Sequence, residues 1–126
     1  MEKKYNRILI KLSGEAIGKE DGRGIDNKKL EKVVEQIIEI SKNGVQVALV
    51  IGGGKFWRGR YGDEYMERTT SDYMGMLATT LNALALQEMT ESKGAQTRVM
   101  TSIEMKQIAE PYIRRRAVRH LEKGRI

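Results

Sequence analysis

Three consecutive glycines at residues 52–54 follow a run of aliphatic, mostly β-branched residues at 45–51. Because glycine has no Cβ, the backbone N–H groups of such a loop can approach an anion closely, and phosphate suits this geometry. A plain tight turn is the alternative, since glycine is also the usual residue of strained turns. Leu49 and Phe56 break a P-loop pattern, and Trp57 breaks a dinucleotide fingerprint. The sequence therefore predicts a phosphate-binding loop of another class.

Two basic residues lie close to predicted loop positions. Lys11 ends a short apolar run at residues 7–11, and open α/β sheets bind ligands at the carboxyl ends of their strands. A lysine that simply reaches solvent is the alternative. Arg58 follows the glycine loop, and a guanidinium can hold phosphate oxygens with two hydrogen bonds. Asp72 is either the N-cap of a helix or a ligand-binding carboxylate.

The first half of the chain reads as strand, helix, strand. Residues 7–11 predict a strand and residues 18–24 a glycine-bearing loop, after which Asp26 can cap a helix. That helix has apolar residues at helical spacing up to Asn43-Gly44. Residues 45–51 predict a strand buried on both faces. This order predicts a parallel sheet.

The second half predicts a long helix that begins at Ser71 or Asp72 and ends at Lys93-Gly94. Residues 97–100 predict a third strand, residues 103–123 a helical region interrupted at Pro111, and residues 125–126 the start of a strand. The apolar face predicted for the long helix consists of Met74, Leu77, Ala78, Leu81, Leu84, Ala85 and Met89. The predicted fold class is α/β, a three-layer αβα sandwich with a mainly parallel sheet, and residues 1–126 form part of one domain.

Composition excludes several classes of function. The chain lacks cysteine and has one histidine, His120, so disulfides, thiol nucleophiles and histidine or cysteine metal clusters are excluded. No apolar run reaches membrane-spanning length and no signal peptide is visible, so we expect a cytoplasmic protein without membrane contact. The net charge of +6 owes much to arginines near residue 115, which we interpret mainly as a solvated helix face. No nucleic-acid-binding motif accompanies them, which favours a phosphorylated small molecule as ligand.

Together, these motifs resemble the bacterial uridylate (UMP) kinases, which belong to the amino acid kinase fold family. The resemblance covers the whole chain, and residues 109–115 look like the Gram-positive branch. Lys55 is one departure, because the family usually carries Asn there. The resemblance rests on residues 11–16 (KLSGEA), 50–59 (VIGGGKFWRG), 71–79 (SDYMGMLAT) and 101–105 (TSIEM).

The resemblance implies a role for each matching position. The catalytic residues would be Lys11 and Arg58, and the UMP-binding residues Gly53 and Asp72. It also implies Mg²⁺ carried by ATP with no metal site of the protein, GTP as an activator, and a homohexamer. The implied ATP-binding residues are Lys11, Leu12, Ser13, Gly14, Gly54 and Arg58, and the implied allosteric GTP loop is Lys19, Glu20, Asp21, Gly22, Arg23 and Gly24.

Two other functions remain open at this point. One is an acyl-phosphate-forming kinase of the same fold, acting on a substrate such as acetylglutamate or aspartate. The other is a non-catalytic nucleotide-binding module. Members of the uridylate kinase family continue well beyond 126 residues, so we expect this chain to be a fragment that does not catalyse phosphoryl transfer alone.

Overall fold

A parallel pair of strands forms the base on which the predicted loops rest. The computed structural model describes residues 2–54 and 65–126. β1 (Arg7–Leu12) and β2 (Gln46–Ile51) pair in parallel, and Leu12 lies opposite Ile51. Both strands therefore end at the same edge of the sheet, and the Gly52 N–H extends the pairing by donating to the Leu12 carbonyl at 3.3 Å. The predicted parallel arrangement is confirmed.

The helix α1 (Asn27–Lys42) connects the two strands. Asp26 is its N-cap, and its Oδ1 accepts hydrogen bonds from the backbone N–H groups of Lys28 and Lys29 at 3.0 and 3.2 Å. Gly44 follows the C-cap with φ of +83°, a backbone conformation that favours glycine. The predicted cap and apolar face are confirmed, since α1 buries Leu30, Val34, Ile37 and Ile38.

The helix α2 (Arg68–Ser92) begins earlier than the sequence predicted. Its N-cap is Glu67, which makes no side-chain capping bond, and an ion pair between Arg68 and Asp72 spans the first turn. Asp72 is consequently the fifth residue of the helix. The prediction that Asp72 or Ser71 starts this helix, with Asp72 as a possible cap, is wrong.

The buried face of α2 agrees with the prediction only in part, since Ala78 is buried and Ala85 and Met89 pack against the core. Leu77 and Leu81 are 55% and 43% exposed, whereas the buried positions carry mostly small or polar side chains. Such side chains let the helix approach its neighbours, and a Thr hydroxyl can bond a carbonyl one turn earlier, as Thr90 Oγ1 does to the Leu86 carbonyl at 2.6 Å. No helix in the described part of the chain is both long and apolar enough to cross a membrane. The buried residues of α2 are Ser71, Ala78, Thr80, Asn82, Leu86 and Thr90.

The hydrophobic core lies between α1, α2 and the end of β2. Its fully packed members come from each of these elements and from the segment after Gly14: Ile17, Leu30, Val34, Ile38, Ile51 and Leu86. Burial of each such aliphatic side chain contributes about 1.5–3 kcal/mol. Because Ile17 and Ile51 flank the two loops in sequence, the core supports both loops directly.

A partly exposed cation at the end of α2 contacts two carboxylates of α1. Lys93 Nζ lies 3.2 Å from Glu35 Oε1 and 3.4 Å from Glu31 Oε2, both on α1. The hydrogen bond that Lys93 donates to Glu35, with the charges of both carboxylates, raises the pKa of Lys93 above its ordinary value because it favours the ammonium form. An exposed ion pair of this kind adds little to stability.

The second half contains less helix than predicted. β3 (Met100–Thr101) pairs in parallel with β4 (Glu110–Pro111), and α3 (Arg114–Glu122) follows. Residues 103–109 contain no helix, so the predicted helical region from 103 is wrong in its first half. The N–H groups of Glu110 and Tyr112 donate to the carbonyls of Val99 and Thr101, both at 2.9 Å. Pro111, which has no N–H, therefore occupies the strand position that needs no donor.

The extended segment before β3 pairs with the last residue of the chain. The Arg98 N–H donates to the Ile126 carbonyl, and the Ile126 N–H donates to the Gln96 carbonyl, both at 2.9 Å. These bonds are those expected of a strand at residues 125–126. The strand predicted at residues 97–100 is only partly present, because regular pairing is confined to β3.

One face of the first sheet is only partly covered by the described residues, although α3 contacts β2. Leu9 is 63% exposed and Val50 is 49% exposed, whereas Val47 and Ile51 are buried. Side chains alternate between the faces of a strand, so β2 buries one face only. The prediction that β2 is buried on both faces is wrong for the described part of the chain.

Candidate functional site

The loops that follow β1 and β2 interlock through their glycines. A Cβ on Gly14 would lie 2.4 Å from both the Gly52 oxygen and the Gly54 nitrogen. A Cβ on Gly54 would lie 2.8 Å from the carbonyl carbon of Gly14, and Gly54 has φ of +66°. Both positions therefore require glycine. Gly14 has no space for a Cβ, and Gly54 has neither the space nor a backbone conformation that other residues favour. The glycine loop is more than a plain turn, because its backbone packs directly against a second loop.

Ser13 shapes the first of these loops. It is the N-cap of a short 3₁₀ helix, Gly14–Ala16, and its Oγ accepts a hydrogen bond from the Glu15 N–H at 3.2 Å. Its own side chain remains exposed, whereas Gly14 is buried. The capping bond fixes the turn that carries Gly14 against the glycine loop.

A cavity of about 350 Å³ lies beside the interlocked loops. Gly14 and Gly53 form part of its wall, Lys29 of α1 forms another part, and Leu81 and Asn82 line it from α2. The remaining lining residues are Glu15 and six from the loop and its flanks, namely Gly18, Lys19, Glu20, Gly22, Gly24 and Ile25. The fold thus brings the predicted phosphate loops and the predicted GTP loop to one place.

The loop at residues 19–24 is folded back on itself. Gly18 and Ile25 form an antiparallel bridge, and the Lys19 N–H donates to the Gly24 carbonyl at 3.1 Å. Within the loop, Asp21 Oδ1 accepts from the Arg23 N–H at 2.8 Å. Lys29 Nζ donates to the Gly18 carbonyl at 3.1 Å, which ties the loop to α1. This loop is therefore anchored at its base.

The charge along the cavity wall is mixed. Lys19 and Lys29 bring positive charge, and Glu15 and Glu20 bring negative charge. Net attraction would not by itself select an anion at this cavity. Backbone N–H groups of the glycine loop would have to provide the directional contacts.

Lys11 and Leu12 end β1, immediately before the loop of Ser13 and Gly14. The Lys11 side chain is exposed, and no other residue in the described ranges pairs with its ammonium group. A cation at this place can reach a ligand or solvent. Its catalytic role stays a prediction.

Asp72 is not brought to the cavity. It precedes Asn82 by ten residues on α2, which corresponds to about 15 Å along the helix axis. Its Oδ1 lies 3.0 Å from Arg68 Nε, and both side chains are exposed. The UMP-binding role of Asp72 stays a prediction. Arg58 and Lys55 lie outside the described residues.

Asn82 is a site residue that the sequence analysis missed. Its side chain lies in the cavity wall, is 6% exposed, and donates from Nδ2 to the Gly52 carbonyl at 2.8 Å. A polar residue at four-residue spacing from Ala78 and Leu86 was the available signal, but the predicted apolar face included Ala78 without Asn82 or Leu86. Because the predicted face included the exposed residues Leu77 and Leu81, Asn82 was not recognised as buried.

Comparison with known proteins assigns a family. The model of the amino acid kinase family matches residues 6–126. A UMP kinase from Bacillus anthracis superposes with a TM-score of 0.91 and 43% identity over 98% of this chain. A UMP kinase from Ureaplasma parvum gives 0.89 and 34% identity over 98% of this chain. An isopentenyl phosphate kinase, at 0.60 and 21% identity over 94% of this chain, shares the fold.

The chain is short beside these solved structures. It spans 52% of the Bacillus anthracis chain, 54% of the Ureaplasma parvum chain and 55% of the isopentenyl phosphate kinase chain. It therefore matches about half of the length of each. The interlocked glycine loops lie within that matched half.

Proposed function

The chain belongs to the amino acid kinase family, and from that premise we propose that the protein transfers the γ-phosphoryl group of ATP to UMP and yields UDP. The observation that carries the proposal is the pair of interlocked glycine loops at the shared end of two parallel strands. The similarity to UMP kinases at 43% and 34% identity supports UMP as the acceptor.

The residues suit a reaction that needs alignment more than a strong base. An oxygen of the UMP phosphate attacks the γ-phosphorus of ATP, and the bond from that phosphorus to the β,γ-bridging oxygen breaks. The attacking oxygen is already largely ionised at neutral pH, so no histidine or cysteine is needed as a base. Lys11, Arg58 and the glycine N–H groups would hold the two substrates in line and offset the charge of the transferred group.

Mg²⁺ would enter with ATP. Among the described residues, no three histidine, cysteine or carboxylate side chains are grouped so that they could hold a metal. Mg²⁺ commonly binds through substrate phosphates and few protein ligands, and described residues without a grouped set of three ligands fit that mode. When bound, the ion neutralises charge on the β- and γ-phosphates.

The loop at residues 19–24 is proposed to connect GTP with this site. Its residues line the same cavity as Gly14 and Gly53. A ligand that moves the loop would therefore change the walls of the cavity beside the glycine loop. By analogy with the family, we also propose that the protein is a homohexamer in the cytoplasm.

A panel of acceptors tests the proposal. The whole gene product that contains these residues would be assayed for ADP release with ATP, Mg²⁺ and either UMP, acetylglutamate or aspartate. We expect kcat/KM for UMP to exceed the values for both acids by at least about 100-fold, because phosphate and carboxylate acceptors need different contacts. A preference for either acid would contradict UMP as substrate. Binding of UMP with no turnover would favour a non-catalytic module.

Asp72→Asn tests the predicted contact to UMP. Because the ion pair with Arg68 is exposed and worth little, the melting temperature should change little. If the carboxylate binds the nucleoside, the Kd for UMP measured by calorimetry should rise by about tenfold. Arg68→Gln is the control, since it breaks the same ion pair but keeps the Asp72 carboxylate. Equal UMP affinity in both variants and in the unsubstituted protein would remove Asp72 from the site.

A further inference from the structure

The buried amide of Asn82 is placed where it controls the glycine loop. It lies in the middle of α2, 30 residues from Gly52 in sequence, and bonds the Gly52 carbonyl at 2.8 Å. An amide in the middle of a helix is a weaker helix former than leucine, and its burial costs free energy unless it is hydrogen-bonded. The bond to the Gly52 carbonyl therefore offsets the free-energy cost of burying the Asn82 amide.

The geometry of one peptide unit links the bond between Asn82 and Gly52 to the direction of the Gly53 N–H. The peptide between Gly52 and Gly53, which lies in the described part of the chain, is trans. In a planar trans peptide, the carbonyl of one residue and the N–H of the next point in opposite directions. A bond that holds the Gly52 carbonyl toward α2 consequently sets the direction of the Gly53 N–H.

The Gly53 N–H is available for a ligand. The neighbouring N–H of Gly52 is occupied, because it donates to the Leu12 carbonyl. Within the described ranges, no backbone or side-chain atom accepts a hydrogen bond from the Gly53 N–H. Gly53 also forms part of the cavity wall, as Asn82 does.

We propose that Asn82 is a positioning residue for phosphoryl transfer, which orients the Gly53 N–H toward the phosphate of the bound nucleotide through its bond to the Gly52 carbonyl. The proposal rests on the function proposed above. Gly52 and Gly53 have no side chains to restrain them, so without Asn82 this peptide can rotate. Loss of the bond weakens substrate binding by loss of preorganisation and removes no group that touches substrate.

The first test compares two buried polar residues of α2. Asn82→Leu and Thr90→Val each remove one buried side-chain hydrogen bond to a carbonyl, and Thr90 bonds Leu86 away from the glycine loop. In the whole gene product, both should lower the melting temperature, but only Asn82→Leu should raise the KM and the Kd for UMP, by about tenfold or more. Unchanged UMP affinity in folded Asn82→Leu would overturn the proposal.

The second test uses Asn82→Asp, which preserves the side-chain size. The introduced carboxyl can donate to the Gly52 carbonyl only when it is protonated. The ratio of UMP Kd between variant and unsubstituted protein should therefore fall as the pH is lowered from about 8 to about 5. The ionisable groups in the same cavity wall, Glu15, Lys19, Glu20 and Lys29, are common to both proteins, so their titration cancels in the ratio. A ratio that does not change with pH would overturn the proposal.

Turnover of UMP by the unsubstituted protein separates this proposal from the proposed function. If the unsubstituted protein neither binds nor phosphorylates UMP, the proposed function fails. The role of Asn82 is then measured by calorimetry with inorganic phosphate as the probe. Weaker phosphate binding in Asn82→Leu than in Thr90→Val supports Asn82 as the positioning residue, and equal binding, or none in either variant, overturns it.

Discussion

Gly14→Ala should abolish most phosphoryl transfer by the whole gene product, whereas Gly52→Ala should leave most of it intact. A Cβ on Gly14 would lie 2.4 Å from two backbone atoms of the glycine loop, and backbone atoms cannot yield without a shift of the loop. A Cβ on Gly52 would have its nearest neighbour, the Gly14 nitrogen, at 3.9 Å, and the φ of Gly52 is not positive. We expect kcat/KM to fall by at least about 100-fold in Gly14→Ala, since misplacement of about 1 Å has that effect on catalysis.

The two variants differ by one methyl group each, so they form a matched pair. Overpacking at Gly14 should also lower the free energy of unfolding by about 1–3 kcal/mol, as measured by denaturant titration. Gly54→Ala should behave like Gly14→Ala, because it combines a close contact with a positive φ. Near-normal kcat/KM in Gly14→Ala, or equal damage in Gly52→Ala, would show that the loops do not interlock as described.

Arg58→Ala is the second change with a large expected effect. Arg58 follows the glycine loop in sequence and lies outside the described residues, so this prediction rests on the motif. A guanidinium that offsets charge on the transferred group should contribute about 100- to 1000-fold to kcat, and folding stability should change little.

Arg115→Ala is the control for Arg58→Ala. Arg115 is an exposed arginine on α3, so its removal changes the net charge equally. Steady-state kinetics with UMP and ATP should show a large loss only in Arg58→Ala. Arg58→Lys should retain part of the activity, since it keeps the charge but loses the bidentate geometry. If a folded Arg58→Ala protein matches Arg115→Ala in kcat/KM, Arg58 has no catalytic role.

The sequence was sufficient where a single physical rule decided the structure. Asp26 and Gly44 delimit α1 as their capping chemistry requires, and the aliphatic runs form β1 and β2 in parallel. The long helix shows where such rules fail. Leu77 and Leu81 give the stronger apolar stripe, yet α2 packs through small and hydroxyl-bearing side chains that satisfy their hydrogen bonds locally. Tertiary packing, and not hydrophobicity alone, selected the buried face.

The sequence predicted which types of residue form the candidate site, but it did not predict which of them contact one another. The glycines at 52–54 indicated a phosphate loop because three missing side chains leave backbone N–H groups accessible. Their contact with Gly14 depends on the register of β1 against β2, which places Leu12 opposite Ile51 and so aligns the two loops. The bond from Asn82 to Gly52 depends in turn on which face of α2 is buried. Both contacts arise from packing between distant segments.

The fate of a labelled γ-phosphoryl group distinguishes transfer to UMP from hydrolysis of ATP. The whole gene product would be incubated with ATP labelled at the γ-phosphate, Mg²⁺ and UMP, and the labelled products would be separated. We expect the label to appear in UDP, at a rate that depends on UMP concentration. Release of the label only as inorganic phosphate while UMP remains unchanged, or no transfer at all, would contradict it.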